Sequence, residues 1–452
     1  MLAGPLSPHR EAHAPGPALA AAAASFGTPA YLMDLAAVAA AAARLEAAFG
    51  GPWLRLFSLK ANDLPAITSF LHGRGWGASV VSTGEWRHAR AAGVANDAVA
   101  FEGIGKSDAQ LGFAVTEAAA GRPVRWLALE SGQEAAVLAG LAAAAGLGRD
   151  GRPSLDVLVR LNPEVAPETR AEFAVGARAS KFGMTGREIL ALAADGALAG
   201  PGLRLRGVQV HVGSDLTDVR AFCDAGVRAA RLLAALRAVR PDAARPDAVR
   251  PAAIPPDAAR WLDTIDFGGG FPLPAPGLPG PEDFRDALAG ALDRAGLALP
   301  PRPAIEPGRY LVGAAGWLIA SVLHARPDTG GAQLVVLDAG MTEFIRPALY
   351  RTRHPVYALA DGPGSQATPG LLDTAVEGPV CESTDSFGRH LLPPLRRGDL
   401  VAIGQAGAYG ASFTSRYNGR PPPAEILFRP DGSLAPGERP PLTASQAPTR
   451  WE

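Results

Sequence analysis

From about residue 33 onward, short β-branched or aliphatic runs lead into Gly, Ser or Asn turns and then into Ala- and Leu-rich stretches with helical spacing. The runs predict strands at Leu54–Lys60, Gly77–Ser82, Ala98–Gly103, Val124–Glu130, Leu155–Leu161, Arg204–Gly213, Thr264–Gly270 and Arg302–Gly308. Each stretch between them holds a helical pattern, among them Leu64–His72, Gly84–Ala92, Gln133–Ala145 and Asp218–Val239. Eight strands with helical crossovers over about 250 residues have the rhythm of an α/β (β/α)8 TIM barrel. A doubly wound open sheet is the alternative, and the regularity of the units favours closure. A further helix, Leu35–Phe49, precedes the first strand.

Arg240 to Arg260 is a Pro/Ala/Asp/Arg insert in which proline is too dense for helix or sheet, which predicts a surface excursion. Beyond about residue 310 the alternation stops. Gln333–Asp338, Ala375–Val380, Leu400–Ile403 and Ala424–Phe428 are separated by turns, as in a mostly-β second domain. The expected organisation is an N-terminal arm over 1–32 whose end joins the β domain, a barrel over 33–308 and a β domain over 309–452. Residues 1 to about 25 are expected to be loose. The Ala18–Ala24 run is weakly apolar and follows Arg10 offset by Glu11, so it does not read as a signal peptide.

Composition narrows the classes. Lys plus Arg number 43 against 44 Asp plus Glu, a net charge of −1 that gives no reason to expect a nucleic-acid or anionic-membrane partner. The longest apolar run, Leu311–Leu323, is well short of the roughly 20 residues of a spanning helix. Cys223 and Cys381 are the only cysteines, too few for a disulfide framework or a Cys-rich zinc site, and no metal site is expected. A soluble cytoplasmic protein is expected.

In a barrel of this type the chemistry sits at the C-terminal strand ends. Alternation over Leu54, Leu56, Ser58 and Lys60 points that face inward, and a buried lysine of depressed pKa is a nucleophilic amine able to form a Schiff base. A lysine snorkelling to solvent is the bland alternative. The later strand ends carry His211-Val212-Gly213-Ser214, Gly268-Gly269-Gly270 and Glu306-Pro307-Gly308-Arg309. Glycine runs admit an anion to the backbone N–H groups, loops after strands seven and eight are a recurrent phosphate site, and Arg309 adds a charged donor.

These motifs, in this order from about Thr28 to Glu425, resemble the fold-type III pyridoxal-phosphate decarboxylases, the group of diaminopimelate and ornithine decarboxylases, whose barrel is of the alanine racemase type. The resemblance implies that Lys60 in SLKAN carries pyridoxal 5'-phosphate, that His211 stacks on its ring, and that Ser214, Gly268, Gly269, Gly270, Arg309 and Tyr409 hold its phosphate. It implies that Glu306 bonds the ring nitrogen and keeps it protonated, which speaks for decarboxylation; a racemase on a related barrel has arginine there. Cys381 in CESTD would return a proton to Cα, from the partner subunit of a homodimer. Arg346 and Tyr350 in RPALY would grip a distal carboxylate, with Arg309 and Tyr409 also near the amino-acid substrate, and Glu382 would read a distal ammonium.

Four departures from the family pattern bear on the substrate. Ser79 stands where the family usually has Asp, and the segment after His211 reads Val-Gly-Ser-Asp. Phe271-Pro272 follows the glycines, and Ser180-Lys181-Phe182-Gly183 lacks the usual upstream residues. A diaminopimelate decarboxylase is the leading expectation. The alternative is a specialised decarboxylase of a substituted diamino acid or polyamine precursor in siderophore or other secondary metabolism. An amino-acid racemase and a non-catalytic cofactor-binding homologue are the competing readings.

Overall fold

A computed structural model describes residues 16–439, apart from 168, 170–173, 177–179, 199–201, 240–260 and 360–369. The Arg240–Arg260 insert therefore lies outside the described residues. Among the described residues the chain divides into two compact units, 16–37 with 313–437, and 38–312 with 438–439.

In the second of these units, strands β2 (Leu54–Ser58), β3 (Gly77–Val80), β4 (Val99–Phe101), β5 (Trp126–Leu129), β6 (Leu155–Leu161), β7 (Leu203–Val210), β8 (Thr264–Asp266) and β9 (Arg302–Ile305) close into a barrel. Every neighbouring pair is parallel, β9 returning to β2 through Leu54 opposite Ala304. The expectation of a (β/α)8 barrel holds, and the open sheet is excluded by this last pairing. The strands are shorter than the apolar runs predict. β8 stops at Asp266 because Gly268 and Gly270 take positive φ (70° and 118°), which no pleated strand continues. β2 stops at Ser58, and Leu59–Ala61 winds into a 3-10 turn.

Helices follow the strands where predicted, within one or two residues: α2 (Leu35–Ala48), α3 (Pro65–His72), α4 (Thr83–Ala91), α6 (Gly132–Ala144) and α8 (Arg220–Ala238). Side-chain caps fix several starts. Ser82 accepts the Glu85 N–H at 3.1 Å, and Thr185 with Glu188 forms a reciprocal capping box at the N-terminus of the Gly186–Ala194 helix.

The other unit is a nine-stranded sheet built around β1 (Ala30–Asp34) and β10 (Gly316–Pro327). β1 pairs antiparallel with β10 and parallel with β16 (Ala424–Phe428). The expected loose arm is corrected here: Gly16–Phe26 is a helix, α1. Its alanines have high helix propensity, and Leu19 and Ala22 bury against Leu32, Trp317 and Ile319, which supplies the packing that a polyalanine run alone lacks. No helix among the described residues is long and apolar enough to cross a membrane.

One position shows how tightly the barrel is drawn. β6 and β7 shift register between Val157 and Leu158, bringing Gly207 opposite Leu158, and a Cβ on Gly207 would stand 1.8 Å from the Thr264 carbonyl oxygen of β8. Only the absence of a side chain permits that approach. Gly207→Ala is expected to lower the unfolding free energy by about 1–3 kcal/mol through displaced backbone, read as a fall in the denaturation midpoint at unchanged slope; a midpoint equal to the native protein's would contradict the close contact.

Candidate active site

Leu56, Ala100, Trp126, Leu158 and Ala304, with Leu54 packed on them, form an apolar cluster inside the barrel. Side chains of a strand return to the same face every second residue. The next inward positions, on or just past the strand ends, are Ser58, Glu102, Ala128, Arg160 and Glu306. Within a single pleat step the interior turns from hydrocarbon to charge.

Glu102, Asp266 and Glu306 meet there, each offering an oxygen within 4.8 Å of the others. Trp126 Nε1 donates to Glu102 Oε1 at 2.9 Å, the Gly268 N–H to Asp266 Oδ1 at 2.8 Å, and Gln209 Nε2 to Glu306 Oε2 at 3.2 Å. The second oxygen of each carboxyl, and Gln209 Oε1, are buried without a partner. Burial first, then the charge of Glu306, push the Glu102 carboxyl up to about 8, and burial with the charges of Glu306 and Glu102 holds Asp266 well above its ordinary range. The nearby cations are engaged elsewhere. Arg160 pairs with Glu130 and lies 4.7 Å over the Phe182 ring, while Lys106 meets Glu134 at 2.8 Å.

His211 follows β7. Burial, then the charges of Lys60 and Arg160, hold its imidazole well below the usual pKa, so the ring is neutral, and Nδ1 accepts the Gly269 N–H at 3.3 Å. Gly268 must be glycine: beyond its positive φ, a Cβ would lie 2.8 Å from the Val210 carbonyl oxygen and from His211 Nδ1. Arg309, 8% exposed, donates from Nε and Nη2 to Ser214 Oγ at 3.3 and 3.1 Å, and the Thr169 hydroxyl donates to the Ser214 carbonyl at 2.8 Å. Of the expected barrel residues, Gly269 is bonded to His211 and Arg309 to Ser214, while Gly268 bonds Asp266 and Glu306 bonds Gln209.

The expectation of a buried Lys60 is corrected. Because the strand ends at Ser58, Lys60 stands on the 3-10 turn and is exposed, although Leu54 and Leu56 do face inward. Its charge is felt by His211 and by Glu85, whose carboxyl burial raises to about 7.

In the sheet unit, Arg346 is 3% exposed, with its guanidinium 5.5 Å from the Tyr350 ring centroid and 5.6 Å from that of Tyr409. Tyr409 adopts φ +56°, a strained backbone for a non-glycine residue and a frequent mark of functional positions. Cys381 and Glu382 are exposed. Their loop is anchored by Asp385, whose carboxylate accepts the N–H groups of Val380 (2.8 Å) and Met341 (2.5 Å), and Tyr417 donates its hydroxyl proton to Glu382 Oε1 at 2.6 Å.

The motif reading misses Glu102, Asp266, Gln209, Arg160 and Tyr417, and gives Asp385 of CESTD no role of its own. Glu102 lay inside the expected Ala98–Gly103 strand, and an acid two residues past inward-facing Ala100 was the signal that could have found it.

The barrel residues fit pyridoxal phosphate. Glu306 Oε1 is a buried acceptor lacking a donor, as the partner of a protonated ring nitrogen must be, and it lies on the same rim as a neutral imidazole and a buried arginine.

Comparison with known proteins agrees. Residues 35–240 match the family model described as the pyridoxal binding domain of pyridoxal-dependent decarboxylases. The diaminopimelate decarboxylase of Deinococcus radiodurans is 33% identical over 412 residues, 91% of this chain and 93% of the relative. That of Zymomonas mobilis is 32% identical over 90% of this chain and 88% of its own. The crystal structure of the Helicobacter pylori diaminopimelate decarboxylase complexed with L-lysine superposes with a TM-score of 0.77 at 28% identity, covering 91% of this chain and 94% of that one. A likeness that runs through the barrel motifs and the sheet unit alike, over nine-tenths of the sequence, makes this chain a member of the pyridoxal-dependent decarboxylase family.

Proposed function

We propose that the protein is a pyridoxal-phosphate-dependent carboxy-lyase that removes an α-carboxylate from diaminopimelate, leaving lysine and CO2. The observation that carries the class is the bare, buried Oε1 of Glu306 at the mouth of the barrel. A carboxylate there accepts from a protonated ring nitrogen, where an arginine would repel it. The substrate rests on Arg346 between Tyr350 and Tyr409, a charged fork of the kind that grips a distal carboxylate. The names of the relatives favour this over a specialised diamino-acid or polyamine-precursor decarboxylase and over a racemase.

When bound, the cofactor supplies an electron sink for the pair left at Cα as CO2 departs. The chain supplies the rest. Lys60, exposed on its turn, presents the amine that attaches the cofactor. His211, uncharged, offers a flat face without adding positive charge beside a protonated ring. Ser214 and Arg309, already bonded to each other, form with the Gly268–Gly270 turn the anion site for the phosphate. Arg309 also borders the amino-acid substrate. Cys381 holds the proton returned to Cα, and Glu382, steadied by Tyr417, reads the distal ammonium.

Cys381 and Glu382 are exposed in the single chain, which supports a homodimer in which each subunit's Cys381–Asp385 loop completes the other's site. The cytoplasm, where an exposed thiol stays reduced, is the compartment this chemistry suits.

Three outcomes follow. Protein loaded with pyridoxal phosphate should release CO2 from meso-diaminopimelate ahead of lysine, ornithine and carboxylated polyamine precursors, with Lys60→Ala falling to background; loss of optical activity without CO2 would instead mark a racemase. Arg346→Met should lower kcat/KM for diaminopimelate by about 10–100-fold, the worth of a charge-assisted hydrogen bond, while cofactor binding stays at the native level; an unchanged kcat/KM would remove Arg346 from the substrate site. Mixing inactive Lys60→Ala and Cys381→Ala proteins should restore part of the activity through hybrid dimers carrying one intact site, and no recovery after subunit exchange would argue against shared sites.

A further inference from the structure

Glu102 belongs to none of the motifs read from the sequence, yet it is 4% exposed and sits beside Asp266, 0% exposed, and the half-buried Glu306. Each of the three carboxyls has one buried oxygen without a donor, Glu102 Oε2, Asp266 Oδ2 and Glu306 Oε1, and so does the Gln209 amide at Oε1. Three carboxylates within 4.8 Å of one another cannot all ionise in a dry interior. The groups acting on them are the Trp126 indole from β5, Arg160 from β6, Gln209 from β7, the Gly268 N–H after β8 and Lys106 after β4. Arg160 and Lys106 are spent on Glu130 and Glu134. Two protons resolve both problems, since each cancels a charge and turns an acceptor into a donor. Of the three, Glu306 is the one that is not fully buried, so a charge placed there is the least desolvated.

We propose that Glu102 and Asp266 are neutral carboxylic acids that act as positioning residues for Glu306, donating toward its carboxylate so that the single negative charge of the cluster is fixed on the side chain facing the cofactor's ring nitrogen. This rests on the reading of Glu306 as the ring-nitrogen partner. The raised pKa values of Glu102 and Asp266 have the same sense.

The test is infrared spectroscopy of the full-length apoprotein at pH 7, joined to titration with pyridoxal phosphate. The native protein should show the carbonyl stretch of buried neutral carboxylic acids, and Glu102→Gln should remove one component of it. An amide copies the charge and the donor of a protonated acid, so Glu102→Gln should bind pyridoxal phosphate within about threefold of the native protein, whereas Glu102→Ala, which strips the donor, should weaken it about tenfold. A native spectrum without that band overturns the neutral acids and needs no variant to do so; a band unmoved in folded Glu102→Gln overturns the assignment of a proton to Glu102. A band present while cofactor affinity ignores Glu306→Gln overturns the ring-nitrogen reading instead, and with it the purpose assigned to the pair.

Stability has a matching sign. Below the ordinary value of 4.5 both folded and unfolded chains hold the Glu102 proton; above it the unfolded chain releases it first. Apoprotein stability should therefore decline as pH rises from 4.5 toward about 8, and Glu102→Gln should flatten that decline.

Discussion

The barrel's inner face changes character over one pleat step, and the rest of the site depends on that step. Leu56, Ala100, Trp126, Leu158 and Ala304 exclude water from the interior. Two residues further along the same strands, Ser58, Glu102, Arg160 and Glu306 have to live on the edge of that dry region. A parallel barrel fixes the register of all eight strands at once, so no single strand can slide to relieve the crowding without breaking its pairing on both sides.

Crowding of this kind makes electrostatics a matter of allocation. The rim holds carboxyls from three strand ends, a guanidinium matched to Glu130, and an imidazole that burial keeps neutral. Lys60 stands on its exposed turn and Arg309 beside Ser214, the two cations to which the proposed function gives the cofactor's aldehyde and phosphate. Hydrogen bonds within the rim set orientation: Gly269 steers His211 and Gly268 steers Asp266, so the glycine triplet shapes the site's acids and bases as well as its turn. The sheet unit follows the same logic with different parts, where Asp385 spends its carboxylate on backbone N–H groups and leaves Cys381 and Glu382 exposed.

Much of this was legible in the residue order, and the failures have physical reasons. Leu155–Leu161, Leu400–Ile403 and Ala424–Phe428 match the observed strands to the residue, because short, largely aliphatic runs bounded by turn residues have few other ways to bury themselves. Strand ends were overrun at Lys60 and Gly270, since an apolar run does not reveal where pairing stops or where φ turns positive. The Gly16–Phe26 helix was read as loose because its stability comes from Trp317 and Ile319, some three hundred residues away in sequence. The motifs single out His211, Ser214, Glu306 and Arg309, and the structure sets each of them at or just past a barrel strand end. They do not single out Glu102 and Asp266, because a lone acid in a strand means little until the barrel closes and brings its neighbours within reach.

The central claim is that one amine, at Lys60, attaches the cofactor. Incubation of the purified chain with pyridoxal phosphate, reduction with borohydride, digestion and mass spectrometry test it directly. The account predicts a yellow protein whose Lys60-bearing peptide alone gains the mass of a reduced pyridoxyl phosphate. A colourless protein, or the added mass on another lysine, would contradict it.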